Sequence, residues 1–379
     1  MCTDFILPFD KDTSIISART MDFVQSPTLA YDTFVVKAPC NLTFTANAPK
    51  GAKGHSWQNT YGFVGFYMAP TPAGKAPTPP VVDPAKLYFS DGMNTQGLSA
   101  AVLWLSYTDY EHPAPGDESR CIDIENLVSF LLGTCASIEE VIENLADILV
   151  WLPEQLEILM PYHLSVHDRA GKSLVIDFSS GKKIYYNNDE IGVLTNGPTY
   201  DWQATHLNYL YNSLTCEDNG LNKFVQLQEK NGRQYVTSGT GYQYEVLGAG
   251  MLGLPGDSTS PSRFVRAAKL RQTLPRTYSS REGVQYALQI LGRIAVCHQE
   301  VLVYFNGDGT KADPMNSYDR TLWMTVRNHT DKILYYASAQ NHNIQAINLT
   351  ELDFSEQTSP TMSSISTGSW FVDSTEILA

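Results

Sequence analysis

The feature that most constrains the fold is a set of N-terminal segments that are apolar almost throughout. Residues 61–68 (YGFVGFYM) and 98–105 (LSAAVLWL) are the clearest, and residues 14–19, 33–38 and 86–90 are also rich in β-branched and aromatic side chains. Turn-forming residues bound each segment, as expected for strands. A strand that is apolar on both sides must be covered on both faces. The pattern therefore predicts strands in the middle of a layered structure.

The order of the remaining patterns places helices outside such strands. Ser137 and Glu140 form a capping-box sequence before apolar residues at helical spacing, and Ser260 is a candidate N-cap before Pro261. Strands, helices, strands, helices and strands in this order predict an α+β fold of two packed sheets with outer helices, in one domain over residues 1–379. Helices are expected at about 118–133, 138–149, 260–274 and 280–296, and further strands at 162–168, 173–179 and 183–187.

One segment does not fit either pattern. Residues 69–84 (APTPAGKAPTPPVVDP) contain six prolines and almost no residues typical of a core. Proline has no N–H to donate and fixes its own φ angle, so such a run is unsuited to a central strand. We expect an extended surface loop inserted between two strands.

Charge and hydropathy exclude several classes of function. The net charge of −14 argues against a nucleic-acid surface, which needs clustered Lys and Arg. No stretch approaches 18 uncharged apolar residues, so no membrane span is predicted. The N-terminus lacks the basic and apolar regions of a secretory signal. The sequence as written indicates a cytoplasmic protein, or a periplasmic one if a signal peptide has been removed.

The second residue carries the first hint of chemistry. The chain begins MCTDF, and an initiator methionine is generally removed when the next side chain is small. Removal of Met1 would give Cys2 both a thiol and a free α-amino group. That amine has an ordinary pKa of about 7.7–8, so it can act as a base near neutral pH. One residue would then supply both nucleophile and base.

Five motifs spread along the chain extend this hint. They are MCT at the N-terminus, ARTMDF (18–23), DGMNTQGLSAAVLWL (91–105), LTNGPTYDWQ (194–203) and LPGDSTSPSRFVRAA (254–268). In this order they resemble the motifs of the choloylglycine hydrolase family, which contains penicillin V acylases and bile salt hydrolases. The resemblance implies an N-terminal nucleophile hydrolase with a four-layer αββα sandwich of two mainly antiparallel sheets.

The same resemblance implies roles for five residues. Cys2 matches the nucleophile, and Arg19 matches the arginine that favours its thiolate. Asp22 matches the aspartate that holds the α-amine. Asn196 matches the oxyanion-hole asparagine, and Arg263 matches a second active-site arginine, whereas the nearby Arg266 is expected at the surface.

Two aromatic residues bear on the substrate. Trp104 matches the residue whose backbone N–H completes the oxyanion hole, and a tryptophan here resembles the Gram-negative penicillin V acylase cluster. Its indole, with Phe23, would form a wall for a phenoxy ring or an acyl chain. Phe23 itself departs from that cluster, which usually has tryptophan at this position. The 69–84 insertion is a second departure.

The implied function is hydrolysis of a linear amide in an N-acyl substrate such as penicillin V or an N-acyl homoserine lactone. Conjugated bile salts are the first alternative, and an inactive binding homologue is the second. Neither a cofactor nor a metal is expected. By resemblance to the family, we expect a homo-oligomer, specifically a tetramer.

Two further groups of residues suggest other chemistry. Cys297 and His298 are adjacent, but neighbours rarely face each other for proton transfer, and we expect both to be buried at a helix end. His163 and His167, with Asp168, resemble metal ligands. On a strand the two histidines would lie about 13 Å apart, too far for one metal ion. We therefore predict no metal site there.

Overall fold

The computed structural model describes residues 1–25, 29–72, 83–153, 160–212, 214, 228–237, 243–245, 251, 253–303, 311, 318–355 and 360–374. The helices are α1 (Ile124–Thr134), α2 (Ile138–Asn144), α3 (Tyr200–Leu210), α4 (Ser260–Gln272) and α5 (Ser280–Ile294). The strands are β1 (Cys2–Ile6), β2 (Ile16–Gln25), β3 (Leu29–Ala38), β4 (Thr43–Asn47), β5 (Lys53–Gln58), β6 (Phe63–Pro72), β7 (Phe89–Asn94), β8 (Ser99–Trp104), β9 (Cys121–Asp123), β10 (Leu149–Trp151), β11 (Tyr162–His167), β12 (Ser173–Ser179), β13 (Lys182–Asn187), β14 (Val193–Leu194), β15 (Gln228–Lys230), β16 (Arg233–Thr237), β17 (Gln243–Glu245), β18 (Val301–Leu302), β19 (Tyr318–Asn328), β20 (Ile333–Ser338), β21 (Gln345–Asn348) and β22 (Thr361–Ser364).

Two large sheets form the centre of the structure. The first sheet has the order β14-β1-β2-β19-β20-β21, with β18 paired to β19, and the second has the order β13-β12-β11-β8-β7-β6-β3-β22. The pairings within both sheets are antiparallel. The α+β prediction of two packed, mainly antiparallel sheets is therefore confirmed.

Helices cover the outer faces of the sheets. Helix α1 packs on β7 and β8 of the second sheet, whereas α5 packs on β2 and β19 of the first and α4 lies against β14. In β8, Ala101 and Leu103 join the core shared with the first sheet, while Ala100 and Val102 join the core beneath α1. The predicted burial of this strand on both faces is confirmed. Among the residues described, no helix is long and apolar enough to cross a membrane.

Helices α1 and α2 are shorter than predicted. The first was expected from residue 118, but residues 118–120 form a 3₁₀ turn and α1 begins at Ile124. The second was expected to reach residue 149, but α2 ends at Asn144. At both places β9 pairs in parallel with β10, so residues 121–123 and residue 149 lie in strands rather than in the predicted helices. Such a pairing between distant segments has no signal in local helical periodicity.

Other helix predictions fare better. The cap at Ser137 is confirmed, since its hydroxyl accepts from the Glu140 N–H. Helix α5 closely matches the predicted 280–296. Helix α4 begins at Ser260 itself, and Thr259 is the N-cap, so the predicted N-cap was wrong by one residue. Helix α3 was not predicted.

The proline-rich segment divides into two parts. Residues 73–82 lie outside the described residues. Residues 69–72 were expected in the loop but extend β6, where they pair with β3. This correction has a simple reason, because β7 pairs with β6 only at Phe63–Tyr67. The end of β6 therefore has one unpaired edge, which tolerates proline.

A buried ionic network joins the two sheets two residues after Cys2. Arg327 of the first sheet binds Asp4 on β1 (Nη1 to Oδ2, 3.0 Å) and Asp91 on β7 of the second sheet (Nη2 to Oδ1, 2.6 Å). His167 on β11 binds the other Asp4 oxygen. Burial by itself raises the pKa of Asp4, but the charges of Arg327 and His167 outweigh it, and the pKa lies well below its ordinary value.

We predict that Arg327→Leu destabilises the protein by about 3–5 kcal/mol at pH 7, because it removes the cation that the buried carboxylates of Asp4 and Asp91 share. The depressed pKa of Asp4 contributes stability above its ordinary pKa of 3.8 that is lost as pH falls. The difference between native protein and variant should therefore shrink as pH falls below about 4. Urea unfolding measures both effects. Arg276→Leu is the control, because its ion pair with Asp10 is exposed and should contribute at most about 1 kcal/mol. Equal losses in the two variants would contradict the prediction.

Candidate active site

Cys2 is the first residue of β1, and β2 supplies the side of the site next to it. The register pairs Cys2 with Met21. The Cys2 side chain is buried, with 3% of its surface exposed. Its sulfur lies 3.4 Å from Arg19 Nη2, 3.6 Å from Met21 Sδ and 3.7 Å from the main-chain oxygen of Asp22. The predicted arginine and aspartate thus both come from the strand paired with the nucleophile.

Arg19 reaches across from the first sheet to the second. Its guanidinium donates to the main-chain oxygens of Ser90 (2.7 Å) and Val102 (2.9 Å) and lies over the ring of Trp323 at 5.3 Å. These contacts hold the cation against the Cys2 sulfur. The guanidinium is thereby in direct contact with the Cys2 sulfur.

The N-terminus itself occupies the site. Cys2 N is here a peptide N–H and donates to Asn196 Oδ1 at 2.6 Å. The Met1 ammonium donates to the main-chain oxygen of Asp22 (2.9 Å) and to Asp319 Oδ2 (2.7 Å). Burial by itself lowers the pKa of this ammonium, but the charges of Asp319, Cys2 and Asp22 outweigh burial and raise it. A charged amine is therefore well accommodated beside Cys2.

The Asp22 carboxylate is buried next to this amine. It accepts from Thr321 Oγ1 (2.6 Å) and Thr20 Oγ1 (3.2 Å), and Arg263 Nη1 lies 3.8 Å away. Burial raises the pKa of Asp22 although Arg263 and the N-terminal ammonium oppose it. In the chain with Met1 the ammonium contacts the Asp22 main-chain oxygen rather than the carboxylate. The predicted hold of Asp22 on the Cys2 amine stays a prediction for the chain without Met1.

Asn196 connects the nucleophile to the second sheet. Its Oδ1 accepts from Cys2 N and from Arg263 Nη2 (2.7 Å), and its Nδ2 donates to the main-chain oxygen of Trp104 (2.9 Å). The Ser260 hydroxyl at the start of α4 accepts from its main-chain N–H. An amide nitrogen has two N–H groups. With one directed at Trp104, the other is suited to donate to a substrate oxygen.

Arg263 lies in the first turns of α4 and points into the protein. It donates to the main-chain oxygens of Cys2 (2.6 Å) and Ser258 (3.0 Å) and to the Thr3 hydroxyl. The sequence suggested that Arg19 and Arg263 give a positive pocket. Both are fully buried and bound to protein oxygens, so neither guanidinium is exposed to solvent in a positive pocket.

The two predicted aromatic residues lie at the partly exposed side of the site. Trp104 ends β8, where its Nε1 donates to Ser106 Oγ (3.0 Å) and its ring meets the edge of Tyr162 at 6.1 Å. Phe23 on β2 is half-buried and contacts Tyr31 edge-to-face at 5.0 Å. Their roles in binding a substrate stay predictions.

Two expectations for neighbouring residues were wrong. Arg266 was expected at the surface, but its guanidinium is buried and donates to the main-chain oxygens of Pro255 and Asp257. Its side of α4 faces the loop before the helix. Cys297 and His298 were expected to be buried, but α5 ends at Ile294 and both are exposed in the turn that follows.

The histidines expected not to share a metal are held separately. His163 contacts Asp177 Oδ1 (2.9 Å) and the main-chain oxygen of Thr195 (2.9 Å), whereas His167 binds Asp4. Each is thus part of a separate buried hydrogen-bond system. The hydrogen-bond partners of His163 differ from those of His167.

Sequence reasoning missed three residues of the site. Thr3 binds Arg263, Thr321 binds Asp22, and Asp319 binds the Met1 ammonium. Thr3 could have been found from its place next to Cys2. Thr321 and Asp319 lie on β19, about 300 residues from the nucleophile, and no motif marks them.

Comparisons with known proteins show which family and fold this chain resembles. The family model described as linear amide C–N hydrolases, choloylglycine hydrolase family, matches residues 2–363. A bile salt hydrolase/transferase from Clostridium perfringens is 30% identical over 69% of this chain and 72% of that protein. A penicillin V acylase from Pectobacterium atrosepticum is 23% identical over 93% and 82%. Solved structures of a conjugated bile acid hydrolase from Clostridium perfringens (TM-score 0.68, 23% identity, 96% and 97% covered) and of a penicillin V acylase from Agrobacterium tumefaciens (0.66, 22%, 95% and 90%) share the fold.

The raised pKa of Asp22 gives a prediction with a definite sign. A buried carboxyl whose pKa is higher in the folded than in the unfolded state makes the protein less stable as pH rises from the lower to the higher of these two pKa values. We expect Asp22→Asn to be at least as stable as the native protein at pH 8 and to lose this relative advantage toward pH 4. Urea unfolding at both pH values measures it.

Asp257 provides the control with the opposite sign. Hydrogen bonds from Thr259 and Ser262 lower the pKa of Asp257 to about 2. Its ionised form therefore contributes stability above the ordinary pKa of 3.8, and Asp257→Asn should be less stable than native at pH 8. The prediction fails if Asp22→Asn is destabilised equally at pH 4 and pH 8.

Proposed function

This chain belongs to the choloylglycine hydrolase family of linear amide C–N hydrolases, and from that premise we propose that it hydrolyses N-acyl substrates with Cys2 as an N-terminal nucleophile after removal of Met1. Penicillin V and N-acyl homoserine lactones are the favoured substrates. The observation that carries the proposal is the contact of the Cys2 sulfur with Arg19 in a site where Cys2 N is bound to Asn196.

Removal of Met1 completes the nucleophile. The Cys2 nitrogen then becomes an α-amine, with Asn196 Oδ1 already placed as its acceptor at 2.6 Å. Arg19 favours the thiolate, and the amine can accept or return a proton within the same residue. We expect the Asp22 carboxylate to orient this amine once Met1 is removed.

The thiolate attacks the carbonyl carbon of the amide, and the oxygen takes the negative charge. Asn196 Nδ2 and the Trp104 backbone N–H are the proposed donors to this oxyanion. When the C–N bond breaks, the amine leaves with a proton from the α-ammonium and the acyl group remains as a thioester on Cys2. Water then adds to the thioester, its proton passing to the α-amine, and the acid is released with the thiolate restored.

The acyl preference rests on the aromatic residues. Trp104 and Phe23 are partly exposed, and their flat apolar surfaces would suit a phenoxy ring or a chain. Conjugated bile salts are the second candidate, because relatives about 30% identical to this chain are named bile salt hydrolase/transferase. Comparing kcat/KM for penicillin V, an N-acyl homoserine lactone and a glycine-conjugated bile salt decides between them.

The nucleophile is tested by mass and by mutation. We expect the purified protein to lack Met1, and one fast alkylation to map to Cys2. Cys2→Ala should abolish amide hydrolysis while the protein still folds, because no thiolate remains. Cys297→Ala is the matched control, since Cys297 is an exposed thiol outside the site, and it should keep native activity. Hydrolysis by a folded Cys2→Ala protein, or by protein that retains Met1, would falsify the mechanism.

The oxyanion donor is tested separately. Asn196→Ala should lower kcat by about 10²–10³ with a much smaller change in KM, because it removes a donor used in the transition state. Steady-state kinetics on the preferred substrate measure this, and a melting curve checks the fold. Asn343→Ala removes a hydrogen bond to the Ser369 main chain far from Cys2 and should leave kcat unchanged. An unchanged kcat in Asn196→Ala would remove this residue from the oxyanion hole.

A further inference from the structure

A second carboxylate beside Cys2 has no part in the proposed mechanism. Asp319 lies on β19 opposite Val24 of β2, and 7% of its surface is exposed. Its Oδ2 accepts from the Met1 ammonium at 2.7 Å. Its Oδ1 is buried and has no hydrogen-bond partner within the part of the chain that the structure describes. Buried carboxylate oxygens are normally paired, so this carboxylate can accept a further hydrogen bond.

The Met1 nitrogen marks a polar position close to the reacting atoms. Two acceptors meet there, Asp319 Oδ2 at 2.7 Å and the main-chain oxygen of Asp22 at 2.9 Å. The same Asp22 oxygen lies 3.7 Å from the Cys2 sulfur. The Met1 nitrogen is also three covalent bonds from Cys2 N, which places it within about 4 Å of that atom. A small molecule at this position would lie beside both the sulfur and the future α-amine.

Removal of Met1 changes which group carries the positive charge. The new ammonium is on Cys2 itself, with Asn196 Oδ1 as one acceptor. It lies within about 4 Å of the former Met1 nitrogen, so its charge offsets that of Asp319 and the substrate needs no cation of its own. The Asp319 carboxylate and the Asp22 main-chain oxygen then need a different donor. A water bridging two such acceptors forms hydrogen bonds nearly as good as direct ones.

The proposed reaction needs a water in the same place. The departing nitrogen takes its proton from the Cys2 α-ammonium, so it leaves within hydrogen-bond distance of that group. The water that hydrolyses the thioester gives its proton to the same amine, so it must approach from the same side. The former position of the Met1 nitrogen is on that side, because Met1 is attached to Cys2 N.

We propose that Asp319 and the main-chain oxygen of Asp22 bind the water that hydrolyses the thioester on Cys2, which makes Asp319 a catalytic residue of the second half of the reaction. This inference rests on the proposed function, because it assigns the water of the same site. It places no demand on the acyl or the amine part of the substrate.

The water keeps one partner and exchanges the other. While the Cys2 amine is protonated, the water donates to Asp319 and to the Asp22 oxygen. After the amine has given its proton to the leaving group, it is an acceptor, and the second O–H turns to it. The water oxygen then adds to the thioester carbon as this proton passes to the amine. The C–S bond breaks, releasing the carboxylic acid and the Cys2 thiolate, and the new α-ammonium lies near the Asp319 carboxylate.

The test separates formation of the thioester from its hydrolysis. Phenoxyacetic acid p-nitrophenyl ester is suitable, because p-nitrophenolate leaves without a proton and acylation does not depend on the water. Protein lacking Met1 is mixed in excess with this ester at pH 8, and rapid quenching with intact mass follows acylated Cys2 over a single turnover. The rise of the adduct gives the acylation rate and its decay gives the deacylation rate.

Asp319→Leu should slow the decay at least about tenfold and change the rise less than about threefold, because it removes the acceptor that holds the water. Loss of the carboxylate would also leave more of the Cys2 amine neutral, which by itself would speed the decay. Asp147→Leu makes the same change at an exposed position after α2 and should leave both rates native. A melting curve checks folding.

A second variant keeps the test open if Asp319→Leu does not fold. Asp319→Asn retains one carbonyl oxygen as an acceptor but has no charge, so its decay should be slower than native by at least about threefold, again with little change in the rise.

The outcomes separate the two proposals. If protein that lacks Met1 forms no adduct on Cys2, the proposed function itself fails. An adduct that decays at the native rate in the folded Asp319 variants overturns the role of Asp319 but keeps the function. An equal fall in rise and decay also overturns it, because Asp319 would then act on the Cys2 amine in both steps.

Discussion

Arg263 is a buried cation, and the geometry of the whole site follows from how it is satisfied. Burying a guanidinium is costly unless its donors are paired. Its partners are Cys2 and Thr3 on β1, Asn196 after β14 and Ser258 before α4. These segments are distant in sequence, and they meet because one side chain needs acceptors from each. The nucleophile and the amide that faces it are thereby fixed relative to each other.

The layered fold was predictable because burial on two faces leaves a direct mark on sequence. The continuous apolar run over β8 required cover on both sides, and both covers are present. The helix ends were predicted less well. The predicted helices included residues 121–123 and residue 149, but the pairing of β9 with β10 overrides the local helical pattern. That pairing joins segments more than 20 residues apart, so local spacing carries no trace of it.

The site was predictable as far as its residues lie within recognisable motifs. The structure brings Cys2, Arg19, Asn196 and Arg263 into direct contact, as those motifs implied. Asp319 and Thr321 were invisible because β19 reaches the site only through its pairing with β2. Arg266 was misplaced because a charged residue in a helix is usually solvated, whereas here main-chain oxygens before α4 supply its acceptors.

The positive charges of Arg19 and Arg263 are bound by the protein itself. Both arginines donate to main-chain oxygens, and moving either toward a substrate would leave buried carbonyls unsatisfied. In the proposed mechanism, stabilising the oxyanion therefore falls to the N–H dipoles of Asn196 and Trp104. The N-terminal ammonium instead binds the Asp319 carboxylate and the main-chain oxygen of Asp22. The proposed thiolate chemistry is compatible with an acidic chain, because the two cations nearest Cys2 are enclosed by the protein.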